Sequence, residues 1–342
     1  MFLSSSSKNL IARESGFARA IFFKIIKRKS LTANTEAKKR NNFIYLKRSW
    51  MLYLMLLLPM AFFIIFRYIP MTNIVIAFKD YNIFQGVWSE GSPWVGWKWF
   101  ERAFQSRDFW NAMRNTLWLN FLDLVVGFPA PIILALILNE LVFKKYKKFT
   151  QTVIYLPHFL SWIIVSSLAT RLLAPTSGVV NIFLVENMGI EPIDFLMDKT
   201  KWVATYILLG VWKEMGWGTI IYLAAITGIN PELYEAAEVD GAGRWRKLWH
   251  ITLTGIRPTI VVLLIMNVGR ILGIEFDRPY TMMNTKVLEA ADVISTLVYR
   301  VGIRSYQYSL TAAIGLFQSV VCVIFLVAAN ALAKKFGERG IL

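Results

Sequence analysis

Ionisable and amide side chains stand inside long apolar runs at three places in this sequence. Asp123 interrupts "NTLWLNFLDLVVGFPAPIILALILNE", Lys213 and Glu214 lie between Trp212 and Trp217, and Asn267 and Arg270 close "VVLLIMNVGR". Hydrocarbon cannot solvate a charge, so such residues face a cavity, a counter-charge or a partner. The chemistry expected of them is non-covalent. Rings cover apolar faces of a solute, and amides and charges hydrogen-bond its polar rim. Asp123, Trp212, Glu214, Trp217, Asn267 and Arg270 are the candidate lining of a pathway. The competing reading has Lys213, Glu214 and Arg270 in structural ion pairs and the tryptophans packed against a second subunit.

Covalent catalysis has little to work with. His158 and His250 are the two histidines and stand far apart; one reads as marking a span's inner end, the other as a polar residue on a loop helix. The single cysteine, Cys322, excludes an intrachain disulfide and a cysteine-based metal cage. A glycosyl-transfer enzyme needs paired acids beside an inner-face site, and no pair has useful spacing. No catalytic residue and no metal ligand is assigned.

The elements that must position these residues are membrane helices. Of 342 residues, 56% are hydrophobic and 18% charged, with a mean hydropathy of +0.47. Soluble domains average about 45–50% apolar. About 20 mostly apolar residues cross a bilayer as helix. On that measure the spans are Trp50 to Tyr68, Asn115 to Leu141, Thr152 to Leu173, Trp202 to Gly228, Thr259 to Phe276 and Leu310 to Ala333. The predicted class is an all-α integral membrane protein with six transmembrane helices.

Net charge is +16, with 12 Lys/Arg in the first 50 residues. The remaining basic clusters abut apolar spans, at Lys144 to Lys148, at Arg244, Arg246, Lys247 and Arg257, and at Lys334 and Lys335. Membrane lipid and the positive-inside rule explain this placement, so no nucleic-acid partner is invoked. The rule puts both termini in the cytoplasm and makes the loop between spans four and five an inner-face loop. Residues 1–49 form a basic cytoplasmic segment. Within it "GFARAIFFKIIKRKS" has the helical spacing of an interfacial amphipathic helix. Residues 50–342 form the transmembrane domain, with the inner-face loop at 229–258.

That loop opens with "INPELYEAAEVDGAGRWRKLWHITL", Ile229 to Leu253. Asn230 suits an N-cap, Pro231 a first helical position, and Glu232 and Glu235 the positive end of the helix dipole. Asp240-Gly241 reads as a stop. A second helix then sets Trp245, Leu248, Trp249 and Thr252 on one face. The expectation is a helix–turn–helix with one face on the bundle and the other free for a soluble partner.

"EAAEVDG" followed after nine residues by Ile251-Thr252-Leu253 resembles the signature of ABC-importer permeases, E-A-A-x-x-x-G-x(9)-I-x-L-P. Glu235, Ala236, Ala237, Gly241, Ile251 and Leu253 match, and Thr254 stands where the final proline usually is. "YIPMTNIVIAFKDYN", "GSPWVGWKWFERAF" and "QTVIYLPHFLSWIIV" are similar to permeases of carbohydrate importers, the branch for oligosaccharides and polysaccharides. The likeness runs from about residue 50 to the C-terminus. It implies a multi-pass protein of the bacterial cytoplasmic (inner) membrane. It implies four kinds of partner: a second permease in a heterodimer, two copies of a cytoplasmic ATPase, an external solute-binding protein and a carbohydrate substrate. It makes the loop a coupling helix, with Glu235 meeting the ATPase, Ala236 and Ala237 allowing close approach, Gly241 bending the chain, and Asp240 and Arg244 beside them. No G-x-x-x-x-G-K-[ST] occurs, so ATP and magnesium belong to the ATPase and this chain carries no cofactor. The alternative is an ion-gradient-driven secondary transporter of a polar solute, with Asp123, Glu214 and Arg270 coupling the ion. An inner-face docking loop has no clear task there, and no internal repeat is visible.

Overall fold

The structure is a computed structural model and describes residues 49–335 apart from Val142 and Ile274, together with Gly337 and Gly340. The amphipathic helix expected within residues 1–49 lies outside the described residues. The chain divides into two compact units, Met1–Asn73 and Ile74–Leu342. In the first, α1 (Trp50–Phe63) continues into a π-helical turn at Ile64–Tyr68. Pro59 lies inside α1 without ending it.

In the second unit, the tryptophan-rich stretch folds into an ordered cap. Trp94 pairs with Lys79 in an isolated antiparallel bridge, and Trp99 Nε1 donates to Lys79 O at 3.0 Å. α2 (Lys98–Gln105) follows, then α3 (Arg107–Leu122), whose N-terminus is capped by Ser106 accepting from Phe109 N. A π-helical turn at Asp123–Gly127 leads into α4 (Pro129–Asn139). α3 to α4 form one apolar helix of 33 residues, Arg107–Asn139.

The third expected span is not one helix. α5 (Lys144–Tyr155) ends in a 3-10 turn at Leu156–Phe159, and α6 (Trp162–Leu172) departs at 101°. Pro157 supplies no backbone donor there. Leu160 and Ser161 are extended, and the Ser161 hydroxyl caps Ile164 N to restart the helix. α7 (Val179–Met188) closes on Gly189 at φ +63°. α8 (Lys199–Thr227) is capped by Asp198 and runs 29 residues, about 43 Å at 1.5 Å per residue.

After α9 (Glu232–Val239), one helix runs from Arg244 to Gly269. A π-helical turn at Leu248–Thr252 interrupts it before α10 (Leu253–Gly269). This corrects the fifth span. The expected second loop helix is the start of that span, and the helix ends well before Phe276. The stretch after Gly269 leaves the helix, and its free carbonyls find side chains. Asn120 Nδ2 donates to Ile271 O at 2.6 Å, and Gln318 Nε2 donates to Leu272 O. Those bonds replace the ladder bonds that continuing the helix would have made. α11 (Asp277–Met282), α12 (Ile294–Val298) and α13 (Tyr308–Lys335) complete the fold.

Among the described residues, four helices are long and apolar enough to cross a membrane, and the bent pair makes a fifth if taken as one span. α8 is long enough but is not among them. Among the described residues there is no β-strand beyond the isolated bridge. Three apolar clusters hold the second unit. The first joins Trp99, Phe109 and Met113 to Leu297, Leu310 and Ile314. The second joins Leu119 to Trp202, Tyr206, Met282 and Val293. The third joins Ala135 to Tyr222, Ile226 and Ile256.

Close approach around α8 rests on glycines. A Cβ at Gly216 would run into the Ile154 carbonyl on α5, whereas one at Gly228 would meet Ala225 O at an ordinary 3.4 Å. Gly216→Ala is therefore expected to cost about 1–3 kcal/mol, the usual penalty of overpacking. Gly228→Ala should be close to neutral. Thermal unfolding of the detergent-purified protein measures both, and equal melting temperatures for the two variants would refute the packing argument.

Candidate functional site

The second unit encloses a cavity of about 370 Å³ between the α3–α4 helix, α8 and α10, with Arg278 of α11 reaching in from the side. Asp123, Glu214, Trp217 and Asn267 line it. Its walls are helical because apolar runs make helices. Its surroundings include two places where the backbone departs from regular α-helix, one in the lining and one behind Glu214. Asp123 opens the π-helical turn, a device that turns a side chain out of helical register and recurs at functional sites. Pro157 breaks the third span and leaves the His158 carbonyl free of a helix.

Two charge clusters meet at this wall. In the first, Arg278 Nη1 donates to Asp123 Oδ2 at 2.7 Å and Nη2 to Asp123 Oδ1 at 3.3 Å. Nη2 also donates to Tyr206 O at 2.7 Å. The guanidinium lies 3.7 Å from the Tyr206 ring centroid and 5.2 Å from that of Trp162. A Cβ at residue 210 would collide with it, so Gly210 leaves the space the guanidinium fills.

In the second cluster, the buried Lys213 ammonium donates to His158 O at 3.0 Å and to Glu214 Oε1 at 2.8 Å. Glu214 Oε2 is 2.8 Å from His158 Nδ1. The His158 ring stacks on Trp217 at 4.5 Å and 3°. The Lys213 ammonium lies 5.3 Å from the centroid of the same Trp162 ring that faces Arg278.

Of the six expected pathway residues, the structure brings Asp123, Glu214, Trp217 and Asn267 to one cavity. Asn267 Nδ2 donates to Leu263 O of its own helix at 2.8 Å. Trp212 and Arg270 are not in the cavity lining. Trp212 is on the exposed side of α8, and Arg270 is the exposed residue that ends α10. Sequence reasoning missed Arg278, which it left in a polar external loop. No local pattern marks it, because its partners Asp123 and Tyr206 are 155 and 72 residues away in the chain.

The expected turn structure of the inner-face loop is present. Asn230 Oδ1 accepts from Glu232 N at 3.1 Å. At the other end, Ala242 N donates to Ala237 O at 2.8 Å and Gly241 N to Glu238 O at 3.0 Å, with Gly241 at φ +72°. This pair of bonds is the Schellman closure, which needs a left-handed residue at Gly241's position. Tyr234 Oη, 3.0 Å from Thr252 Oγ1, fastens α9 to the following helix. Glu235, Ala236, Asp240, Gly241 and Arg244 are exposed, and Ala237 is half-buried. The expected apolar face does not rest on this chain: Trp245 is 77% and Trp249 59% exposed, while Thr252 is buried.

Next to the α3 N-terminus, another set of charges ties short helices together. Asp292 accepts from Arg300 Nη2 at 2.6 Å and from Thr296 Oγ1 at 2.7 Å, and its carbonyl accepts from Asn115 Nδ2 at 2.9 Å. Lys199 donates to Glu289, and that bond holds the Glu289 carboxyl below the ordinary carboxylate range.

Long apolar helices around a polar cavity, with an exposed helix capped at both ends in the same unit, are features of a membrane permease. The chain belongs to the family of inner membrane components of binding-protein-dependent transport systems, whose model matches residues 127–338. It is 47% identical over 304 residues to the polygalacturonan/rhamnogalacturonan transport system permease protein YteP of Bacillus subtilis (strain 168), covering 89% of this chain and 94% of that protein. It is 46% identical over 296 residues to protein LplB of the same organism, covering 86% of this chain and 92% of the other. Among solved structures it is similar to a bacterial ABC transporter involved in the import of the acidic polysaccharide alginate. That match has 42% identity and a TM-score of 0.78, and covers 85% of this chain and 97% of that one. The same transporter with an alginate pentasaccharide-bound periplasmic protein matches at a TM-score of 0.79, with 42% identity over 86% of this chain and 98% of that one. The chain is a multi-pass inner-membrane permease of an ABC import system.

The Lys213–Glu214 pair is asymmetric, with side chains 7% and 48% exposed. Glu214→Leu strands a buried ammonium and should cost about 2–4 kcal/mol. Lys213→Met leaves Glu214 with His158 and solvent, and should cost about 1 kcal/mol. Thermal unfolding of the purified protein at neutral pH ranks the two. The reverse order would show that the lysine is not held as described.

Proposed function

We propose that this chain and a second permease together form the pathway of an ATP-driven importer for an oligosaccharide or polysaccharide, of the acidic class, delivered by a solute-binding protein. The observation that carries the substrate reading is the similarity along most of the chain to one permease named for polygalacturonan and rhamnogalacturonan and to another structure described for alginate. The cavity fits the chemistry. Trp217 offers a ring for apolar CH faces, while Glu214, Asn267 and Asp123 offer partners for hydroxyls. Trp212 and Arg270 belong, in this reading, to surfaces that a second permease covers.

The chain crosses the membrane six times, with the bent α5–α6 pair as the third span and α8 as the fourth. Both termini and the loop holding α9 face the cytoplasm, and the basic residues at Lys145, Lys147, Lys148, Arg244 and Arg246 support that orientation. Residues 1–49 form a separate cytoplasmic segment ahead of the permease domain. α9 is the coupling helix. A separate ATPase, in two copies, binds ATP and magnesium and drives the cycle by rigid-body movement against α9. Glu235, Ala236 and Ala237 present the contact, Gly241 closes the helix behind it, and Asp240 and Arg244 flank the turn. Short capped helices are a common shape for insertion into a partner's groove.

The test is uptake by the assembled complex in proteoliposomes containing the ATPase and the binding protein. Glu235→Lys reverses a charge at the contact and should lower uptake and substrate-stimulated ATP hydrolysis about tenfold or more. Gly241→Asp should do so less strongly, since aspartate tolerates the left-handed conformation better than most residues. Both should insert normally, as judged by membrane yield. Uptake at the parent rate by the Glu235→Lys complex would remove α9 from the coupling role.

A further inference from the structure

We infer that Arg278 is the residue by which this permease distinguishes an acidic saccharide from a neutral one, through exchange of its ion-pair partner. The inference rests on the saccharide reading above. Among the described residues lining the cavity, Arg278 is the only cation, and the lining holds two carboxylates, Asp123 and Glu214. These two acids are not equivalent. Glu214 is engaged at both oxygens, by Lys213 at 2.8 Å and His158 at 2.8 Å, from residues outside the cavity lining. The Asp123 carboxylate, among the described residues, hydrogen-bonds Arg278 alone.

The guanidinium itself is held independently of Asp123. It lies over the Tyr206 ring and within cation–π range of Trp162, donates to Tyr206 O, and occupies the space left by Gly210. Its Nε is buried with no hydrogen-bond partner. Losing Asp123 therefore leaves a charged fork still in position, with unused donors. A uronate carboxylate presents the same two oxygens to that fork as Asp123 does. It can take the place of Asp123 one carboxylate for one carboxylate, while the displaced Asp123, 29% exposed, turns to water in the cavity. A neutral sugar brings hydroxyls but no charge, and cannot compensate for a broken ion pair. An exchange of like for like is also nearly balanced in energy. A transport site needs that, because it must release what it binds.

The experiment uses the complete complex in proteoliposomes with saturating binding protein. The two probes are an oligogalacturonate and its fully methyl-esterified form, which share a backbone and differ in charge. The same binding protein serves every arm, so a changed acid-to-ester ratio belongs to the permease. Arg278→Gln should lower uptake of the acid about tenfold or more while the ester changes little, on the scale of one lost charge-assisted pair. Asp123→Asn removes the competitor and should lower the acid concentration for half-maximal ATP hydrolysis, again about tenfold. The Asp123→Asn/Arg278→Gln double variant removes both charges, so it leaves no lone carboxylate to unfold the protein, and it should show the selectivity loss of Arg278→Gln. Equal loss of acid and ester in the double variant, or an unchanged ratio, overturns the inference alone. A parent complex that moves neither compound overturns the saccharide reading, and the inference with it.

Discussion

Two cations share one indole. The Arg278 guanidinium and the Lys213 ammonium lie 5.2 and 5.3 Å from the centroid of Trp162. Each is also bonded to a carboxylate and to a backbone carbonyl. A charge surrounded by apolar helices survives only where such partners are fixed in advance. The rest of the second unit is arranged to supply them. The break after Tyr155 frees the His158 carbonyl and starts a new helix at Trp162. Gly210 opens space on α8, and the π-helical turn presents Asp123. The helix break and the π-helical turn depart from regular α-helix while Gly210 stays within it, and each serves one of the two cations.

The same constraint links the cavity to the exposed helix. α8 carries Gly210 and Glu214 at the cavity and ends at Thr227, five residues before α9 begins at Glu232. α9 is fastened to the next helix by Tyr234 and Thr252, and that helix continues to Asn267 at the cavity. Both walls are thus single rigid elements that leave the cavity and meet at α9. Under the proposed coupling role, a push on α9 reaches each wall through one four-residue connection, 228–231 or 240–243, the second bridged by the Tyr234–Thr252 contact. The Schellman closure at Gly241 matters for the same reason: a frayed end would absorb the push.

Much of this was legible in the sequence, and the exceptions share a cause. Apolar runs long enough to span a bilayer marked α1, α3–α4 and α13, and Asn230, Pro231 and Gly241 marked the limits of α9 to within a residue. Of the four expected residues that share the cavity, Asp123, Glu214 and Asn267 stood out as a charge or amide in an apolar run. Hydropathy failed where backbone chemistry overrides it. Pro157 splits an apolar run that reads as continuous, and polar side chains at Asn120 and Gln318 end a helix whose following residues are still apolar. Conversely, Arg244 to Leu253 looks like a separate amphipathic helix, yet it continues into α10, because nothing in it stops a helix. Arg278 was invisible for a different reason. Its partners are 72 and 155 residues away in the chain, and no local pattern reports a contact of that range.

The fold does not need the Asp123–Arg278 pair to be charged. Apolar side chains of similar volume in place of a buried ion pair often leave stability unchanged or improve it. Holding α11 in place also needs no charge, since Met282 and Pro279 are already buried there and Trp202 Nε1 donates to Met282 O at 2.9 Å. A purely structural pair would moreover be sealed from the cavity, with every donor satisfied. This one lines the cavity, keeps a carboxylate 29% exposed and leaves Arg278 Nε without a partner. Under the inference drawn above, a charged fork held over the Tyr206 ring at the cavity wall, paired with one partly exposed carboxylate, has the form of a binding group.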